Sequence, residues 1–235
     1  ELGNYLKAIE HKLYNIKGSR NLRHWLPTGR LIAKGLDLRS RAYLCKRKFE
    51  SIRDCTVMSI DCSRFDAHVT QVMLQVEHSI YQRCFPGDRK LQQLLGWQLV
   101  NRGHTAGGIS YKCPGGRMSG DMNTALGNCI LMVLFVATTF KMLGFKPHQW
   151  NFLCDGDDTL LFVPTEFVPF LRVSFPPIFN LAGQSIKLEN EARSLHEISF
   201  CQGRIVDCDD GLKFVQNPVR SYSRMLVSNK HYAHP

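Results

Sequence analysis

The segment Trp150–Val163 limits what this chain can become more than any other. Two largely apolar runs, Trp150-Asn-Phe-Leu-Cys-Asp155 and Asp158-Thr-Leu-Leu-Phe-Val163, flank Gly156-Asp157. That pattern predicts a β-hairpin with Gly-Asp at its tip. Gly and Asp are equally at home in a plain type I′ turn, so Gly156-Asp157-Asp158 taken alone carries no chemistry. A second run, Cys55-Thr-Val-Met-Ser-Ile-Asp61, reads as a strand that ends on a carboxylate. If the two are neighbours in one sheet, Asp61, Asp157 and Asp158 emerge at one edge. Carboxylates so placed suit paired divalent cations about 3.5–4 Å apart, which clamp the attacking and leaving oxygens of a nucleotidyl transfer.

The rest of the chain fills in around these strands. Val69, Val72, Met73, Val76 and Ile80 recur at three- and four-residue steps and predict a helix with one apolar stripe. Turn signals at Pro86-Gly87, Gly107-Gly108 and Pro114-Gly115-Gly116 mark residues 84–117 as an inserted, partly irregular segment. One long helix is expected from Met122 to about Leu143, entered from the Ser119-Gly120 turn and stopped at Gly144. Gln202 to Val206 and Leu212 to Val215, around Asp209-Asp210-Gly211, predict a second hairpin. The order of elements gives the α+β class, an antiparallel sheet backed by helices.

Thirty Lys and Arg against twenty Asp and Glu leave a net charge of +10, which fits a polyanionic partner. Within residues 1–54, Arg20, Arg23, Arg30, Arg39, Arg41, Lys46, Arg47 and Lys48 form a basic cluster, either a solvated face or a nucleic-acid surface. The nine cysteines form no C-x-x-C pair, which argues against structural zinc and for reduced thiols of an intracellular protein. The longest apolar stretch, Cys129 to Phe140, is too short to span a bilayer, which takes about 20 residues. No signal peptide is visible, and a chain that starts at Glu1 and stops at His234-Pro235 reads as a fragment.

Other residues gain meaning beside the carboxylates. Asp66, five residues after Asp61, suits the ribose of an incoming nucleotide and equally a helix N-cap or first-turn acid, and the two roles are compatible. Thr124 and Asn128 share a helix face at i and i+4. An Asn there offers donor and acceptor for a 2′-hydroxyl, directly or through Asp66. Ser119-Gly120 supplies a small-residue turn where backbone can approach a substrate, although the same string also reads as an ordinary helix cap with polar residues on the exposed face. Lys187, in Gln184-Ser-Ile-Lys-Leu-Glu189, would suit a general acid beside a leaving pyrophosphate; a lone Lys is otherwise a solvated charge.

These strings, taken in order, resemble the RNA-dependent RNA polymerases of positive-strand RNA viruses, most closely the tombusvirus-like group. Asp61-x4-Asp66 is similar to motif A, Ser119-Gly120-x3-Thr124-x3-Asn128 to motif B, and Gly156-Asp157-Asp158 to motif C. Gly183 to Lys187 resembles motif D, and Phe200-Cys201-Gln202 motif E. The group likeness rests on Ser63-Arg-Phe-Asp-Ala-His-Val69, Gln98-Leu-Val-Asn-Arg-Gly103, Arg117 to Asn128, and Glu1-Leu-Gly-Asn-Tyr-Leu6. The resemblance implies a right-hand polymerase: residues 1–54 linked to the fingers, 55–212 the palm with a fingers-type insertion at about 84–117, and 213–235 the start of the thumb. It implies two Mg²⁺ or Mn²⁺ ions held by Asp61 and Asp157 with Asp158 assisting, and ribonucleotide selection by Asp66, Ser119, Gly120, Thr124 and Asn128. Lys187 would protonate pyrophosphate, and Phe200, Cys201 and Gln202 would lie near the nascent 3′ end.

The implied partners are an RNA template and nascent strand, ribonucleoside triphosphates, and viral or host replication proteins met through regions outside this chain. The implied location is the host cytoplasm, at membrane-associated replication complexes. Asp155 stands where relatives often carry Asn, an extra carboxylate expected to raise a neighbour's pKa or draw in a cation. The basic motif F, most of the fingers and nearly all of the thumb are expected upstream or downstream of these residues. Three other readings compete. A reverse transcriptase would have an aromatic residue at position 66 and Tyr-x-Asp-Asp at the hairpin. A carboxylate nuclease has no use for the Ser-Gly-x3-Thr-x3-Asn string. A non-catalytic RNA-binding remnant would be expected to have lost some of these side chains.

Overall fold

The computed structural model describes residues 1–18 and 25–225. Arg20 and Arg23 of the basic cluster, and residues 226–235 of the expected thumb, lie outside the described residues. In chain order the elements begin with helix α1 (Leu2–Tyr14), the short strands β1 (Lys17–Gly18) and β2 (Gly29–Arg30), helix α2 (Leu38–Glu50) and strand β3 (Cys55–Cys62). Helices α3 (Gln71–Cys84) and α4 (Arg89–Trp97), strands β4 (Val100–His104) and β5 (Ser110–Pro114) and helix α5 (Thr124–Met142) follow. Then come β6 (Asn151–Asp155), β7 (Asp158–Pro164), α6 (Val168–Leu181) and β8 (Ile186–Ala192). Strands β9 (Ser199–Phe200), β10 (Gly203–Cys208) and β11 (Gly211–Gln216) and helix α7 (Pro218–Met225) complete the order.

A four-stranded antiparallel sheet in the order β6-β7-β3-β8 organises the fold. Its central strands are buried on both faces, because successive side chains serve opposite cores. Met58, Ile60, Cys154, Leu161 and Val163 meet α1, α3, α5 and α6 on one side. Val57, Leu153, Leu160 and Phe162 meet α2 and the small β9–β11 sheet on the other. That explains why β6 and β7 read as unbroken apolar runs rather than as an alternation. Phe140 of α5 stacks on Trp150 just before β6, with centroids 4.1 Å apart and planes 12° from parallel, and so fixes how the hairpin approaches the helix.

Four expectations need correction. Residues 84–117 are more regular than their turn signals imply, holding α4 and the β4–β5 hairpin. The apolar stripe on α3 is not the expected one. Met73, Leu74, Glu77, His78 and Tyr81 are buried, whereas Val72 and Val76 are exposed toward α5 and α6. The segment around Lys187 is a full sheet strand, β8, which its short polar-apolar mix did not announce. Lastly, α5 forms within the bounds expected for it, but its apolar run is longer than Cys129–Phe140. It is long and apolar enough to cross a membrane by length and composition alone, and 67% of that stretch is buried here against the sheet and the other helices.

Candidate active site

The register of the sheet places the carboxylates. Ile60 pairs with Thr159 and Asp61 with Lys187, so Asp61 and Asp158 leave adjacent strands at the same edge. Asp155 pairs with Asp158, which makes Gly156-Asp157 a two-residue loop. Gly156 has φ +76° and Asp157 keeps a negative φ. That is the pattern of a II′ turn, with glycine required at the first central position, and not the I′ turn first expected.

From β3 the chain turns through Arg64, left-handed at φ +52°, into a 3-10 turn over Phe65–His68. This turn carries Asp66 to the start of α5. There the Asp66 carboxylate accepts hydrogen bonds from Ser119 Oγ at 2.6 Å and Asn128 Nδ2 at 2.8 Å. Its backbone carbonyl accepts from the Arg117 N–H at 2.9 Å. Motifs separated by more than fifty residues thus share one carboxylate. Asn128 Oδ1 is buried and has no hydrogen-bond partner among the described residues, an acceptor left open beside Asp66. Thr124 does not join them; its hydroxyl donates to the Met118 carbonyl at 2.9 Å and ties down the loop that carries Ser119 and Gly120.

Asp61, Asp66, Asp157 and Asp158 have no ion-pair partner among the described residues. Although both keep solvent contact, partial burial raises the pKa of Asp157, helped by Asp66 and Asp61. Burial raises that of Asp158 as well, with Asp157, Asp155 and Asp61 adding to it, while the Cys201 thiol donates to it and opposes the rise. Uncompensated like charges at one sheet edge are the electrostatic condition a divalent cation relieves. No three acidic, His or Cys side chains among the described residues converge into a ready-made cage. Mg²⁺ needs none, since it keeps waters and takes one or two carboxylates plus substrate phosphates, so the donor set fits hard cations completed by substrate.

Asp155 behaves differently from its neighbours. Lys34 Nζ lies 3.2 Å from it and Arg41 Nη2 2.6 Å, so the chain's own cations compensate this acid. The Arg41 guanidinium also sits 5.5 Å over the Phe200 ring, linking the hairpin to the turn after β9. In that turn Cys201 and Gln202 are left-handed at φ +48° and +64°, and burial pushes the Cys201 thiol up to about 12. Phe200 is buried and Gln202 exposed. Lys187 is exposed on β8, directly across from Asp61.

Several supporting groups were not visible beforehand. Cys129 Sγ accepts the Gly156 N–H at 3.1 Å, so the residue after Asn128 holds the hairpin tip. Behind the Ser119 loop lies a buried network. Glu77 accepts from Arg117 in a close ion pair, from Tyr81 Oη at 2.8 Å and from Asn123 Nδ2 at 2.7 Å. Gly127 passes directly over the Glu77 carboxylate, where any Cβ would collide.

Against known proteins, the family described as viral RNA dependent RNA polymerase matches residues 1–234. The chain belongs to that family. It is 34% identical over 227 residues to the RNA-directed RNA polymerase of Melon necrotic spot virus, covering 95% of this chain and 28% of that protein. It is 33% identical over 224 residues to the Cymbidium ringspot virus RNA-directed RNA polymerase, covering 92% and 26%. The Turnip crinkle virus RNA-directed RNA polymerase is 34% identical over 236 residues, covering 99% and 29%. The chain therefore spans between a quarter and a third of the length of these curated relatives. The tombusvirus-like resemblance read from the motifs agrees with these matches.

Proposed function

We propose that this chain is the palm-centred catalytic part of an enzyme that synthesises RNA on an RNA template. The observation that carries the reading is the sheet edge itself: Asp61, Asp157 and Asp158 uncompensated there, beside an Asp66 held by Ser119 and Asn128. Residues 55–212 are the palm and 84–117 its fingers-type insertion, with residues 1–54 leading to the fingers and 213–235 into the thumb.

Divalent cations, Mg²⁺ or Mn²⁺, would supply charge stabilisation of the attacking and leaving oxygens when bound. Asp61 and Asp157 are the groups placed to hold them, with Asp158 third. Asn128 is pinned to Asp66 through its amide N–H, which leaves Oδ1 free to accept a ribose 2′-hydroxyl. A site built to bond that hydroxyl discriminates against the sugar that lacks it, because its buried polar groups are then left unpaired. Lys187, exposed across from Asp61, is placed to give a proton to departing pyrophosphate. The turn Phe200-Cys201-Gln202, braced by Arg41, faces the nascent strand.

The test is primer extension on an RNA template with Mg²⁺ or Mn²⁺, using the full-length protein beside its Asp157→Ala, Asp158→Ala double variant. Incorporation of ribonucleotides that vanishes in the variant supports the reading. A full-length wild type that binds RNA yet incorporates nothing refutes it, in favour of a non-catalytic RNA-binding protein.

A further inference from the structure

A cleft of about 600 Å³ lies on the outer side of α2, lined by Lys17 of β1, Arg30 of β2, and Arg39, Arg47 and Lys48 of α2. Among the described residues its lining holds no carboxylate: the other polar groups there are Asn, Ser, Thr and Tyr. None of these five cations has an ion-pair partner among the described residues. Arg30 is braced by the carbonyls of Ile32 and Lys34 and by Asn15 Oδ1, whereas Lys17, Arg39 and Arg47 are exposed.

Lys48 is the unusual member. It is 3% exposed, and its only described partner is a neutral amide, Asn151 Oδ1 at 2.6 Å. Its titratable neighbours are Cys45, Cys154 and Arg47, and burial holds both thiols above their ordinary range, so neither offers an anion near neutral pH. A buried ammonium without a counter-charge is costly, so the group sheds its proton unless an anion beside it supplies the missing charge. Burial lowers this lysine to about 7, so an entering anion would draw a proton onto it.

We infer that the α2 cleft is a second anion site, separate from the carboxylate edge, that takes phosphate groups, with Lys48 as its buried counter-charge. The shared chemistry is the phosphate oxyanion, supplied either by the RNA backbone or by free polyphosphate. The site stands whether or not the carboxylate edge polymerises RNA.

The experiment is calorimetric titration of the full-length protein with inorganic pyrophosphate and, separately, with a short single-stranded RNA. It is run with chelator so that the carboxylate edge holds no cation. Near pH 8, in buffers of differing ionisation heat, binding should be accompanied by proton uptake. Lys48→Met should abolish that uptake and weaken pyrophosphate about tenfold or more, as expected for loss of a charged hydrogen bond. Should that variant fail to fold, Arg39→Gln with Arg47→Gln changes only exposed side chains. It should lower the slope of log affinity against log salt for RNA by about 1.4, at roughly 0.7 per phosphate contact on a single strand. Response of pyrophosphate alone to the variants assigns free polyphosphate as the source, and response of RNA assigns the backbone. Wild-type affinity, proton uptake and salt slope retained in the variants would overturn the site.

Discussion

Arg117→Met tests whether the buried network is what shapes the Ser119 loop. The Arg117 and Glu77 side chains are 1% and 0% exposed and form a direct ion pair. Deleting the guanidinium leaves a buried carboxylate whose remaining partners, Tyr81 and Asn123, are neutral. Breaking a buried pair from one side costs about 3–5 kcal/mol, because the surviving charge is uncompensated. For a chain of this length each kcal/mol lowers Tm by about 2–4 °C, so the midpoint should fall by about 6–20 °C. Glu77→Gln keeps an acceptor for Tyr81 and Asn123 while removing the charge. The double variant, Glu77→Gln with Arg117→Met, should therefore recover at least about 2 kcal/mol relative to the sum of the singles. Urea unfolding of the four proteins followed by circular dichroism supplies all the numbers. Strict additivity, or a cost below about 1 kcal/mol for Arg117→Met, would show that the pair does not hold the loop.

Three further outcomes are expected. Asn128→Ala leaves Asp66 with Ser119 alone and removes the open acceptor, so the ratio of kcat/KM for ribo- over 2′-deoxyribonucleotides should fall about tenfold, or ~1.4 kcal/mol; an unchanged ratio would remove Asn128 from sugar selection. Asp157→Asn with Asp158→Asn relieves uncompensated charge, so Tm without divalent cation should rise and the Tm increase on adding Mn²⁺ should disappear; an Mn²⁺ response equal to wild type would place the cation elsewhere. Lys48 titrates near 7 when folded and 10.5 when unfolded, so above pH 7 the unfolded chain binds the extra proton and stability rises with pH. From pH 7 to 8.5 the gain is about 1–2 kcal/mol, and a Lys48→Met protein that shows the same slope in urea unfolding would contradict the assignment.

The local patterns that sequence reveals best are those the backbone alone dictates. The β3 strand and the β6–β7 hairpin were legible because apolar runs bounded by Gly156-Asp157 admit little else, and α5 because its apolar length ends at Gly144. Strand β8 was not legible: its exposed Lys187 and Glu189 alternate with buried Ile186 and Leu188 over too few residues to separate it from a loop. The α3 stripe was misread because Glu77, a charged residue, is one of its most buried positions. No period-based reading places a carboxylate in a core, since its partner Arg117 lies forty residues away. The basic cluster was mixed for the same reason, with Arg41 turned toward Asp155 and Lys48 buried rather than both being solvated.

Asp155 carries that reasoning one step further. An acid ending an apolar strand, one residue before the Gly156-Asp157 turn, was expected to perturb its neighbours or attract a cation. It does attract cations, but from within the chain: Lys34 and Arg41 close on its two oxygens. Its charge still contributes to the raised pKa of Asp158, behind burial and Asp157. With Arg41 also over the Phe200 ring, one guanidinium fixes the hairpin and the turn after β9 relative to each other. On the other side of the hairpin Cys129 holds Gly156 from α5. The tip that carries Asp157 is therefore held from α2, from α5 and through β9, so its two flexible-looking residues sit on a rigid base. Preorganisation of that kind is what charge-stabilising sites require, because carboxylates that must move before they bind lose the advantage of being in place. An ionised Asp155 makes sense with Lys34 and Arg41 closing on it, and those two basic residues at and just before α2 were the signal that could have predicted its pairing.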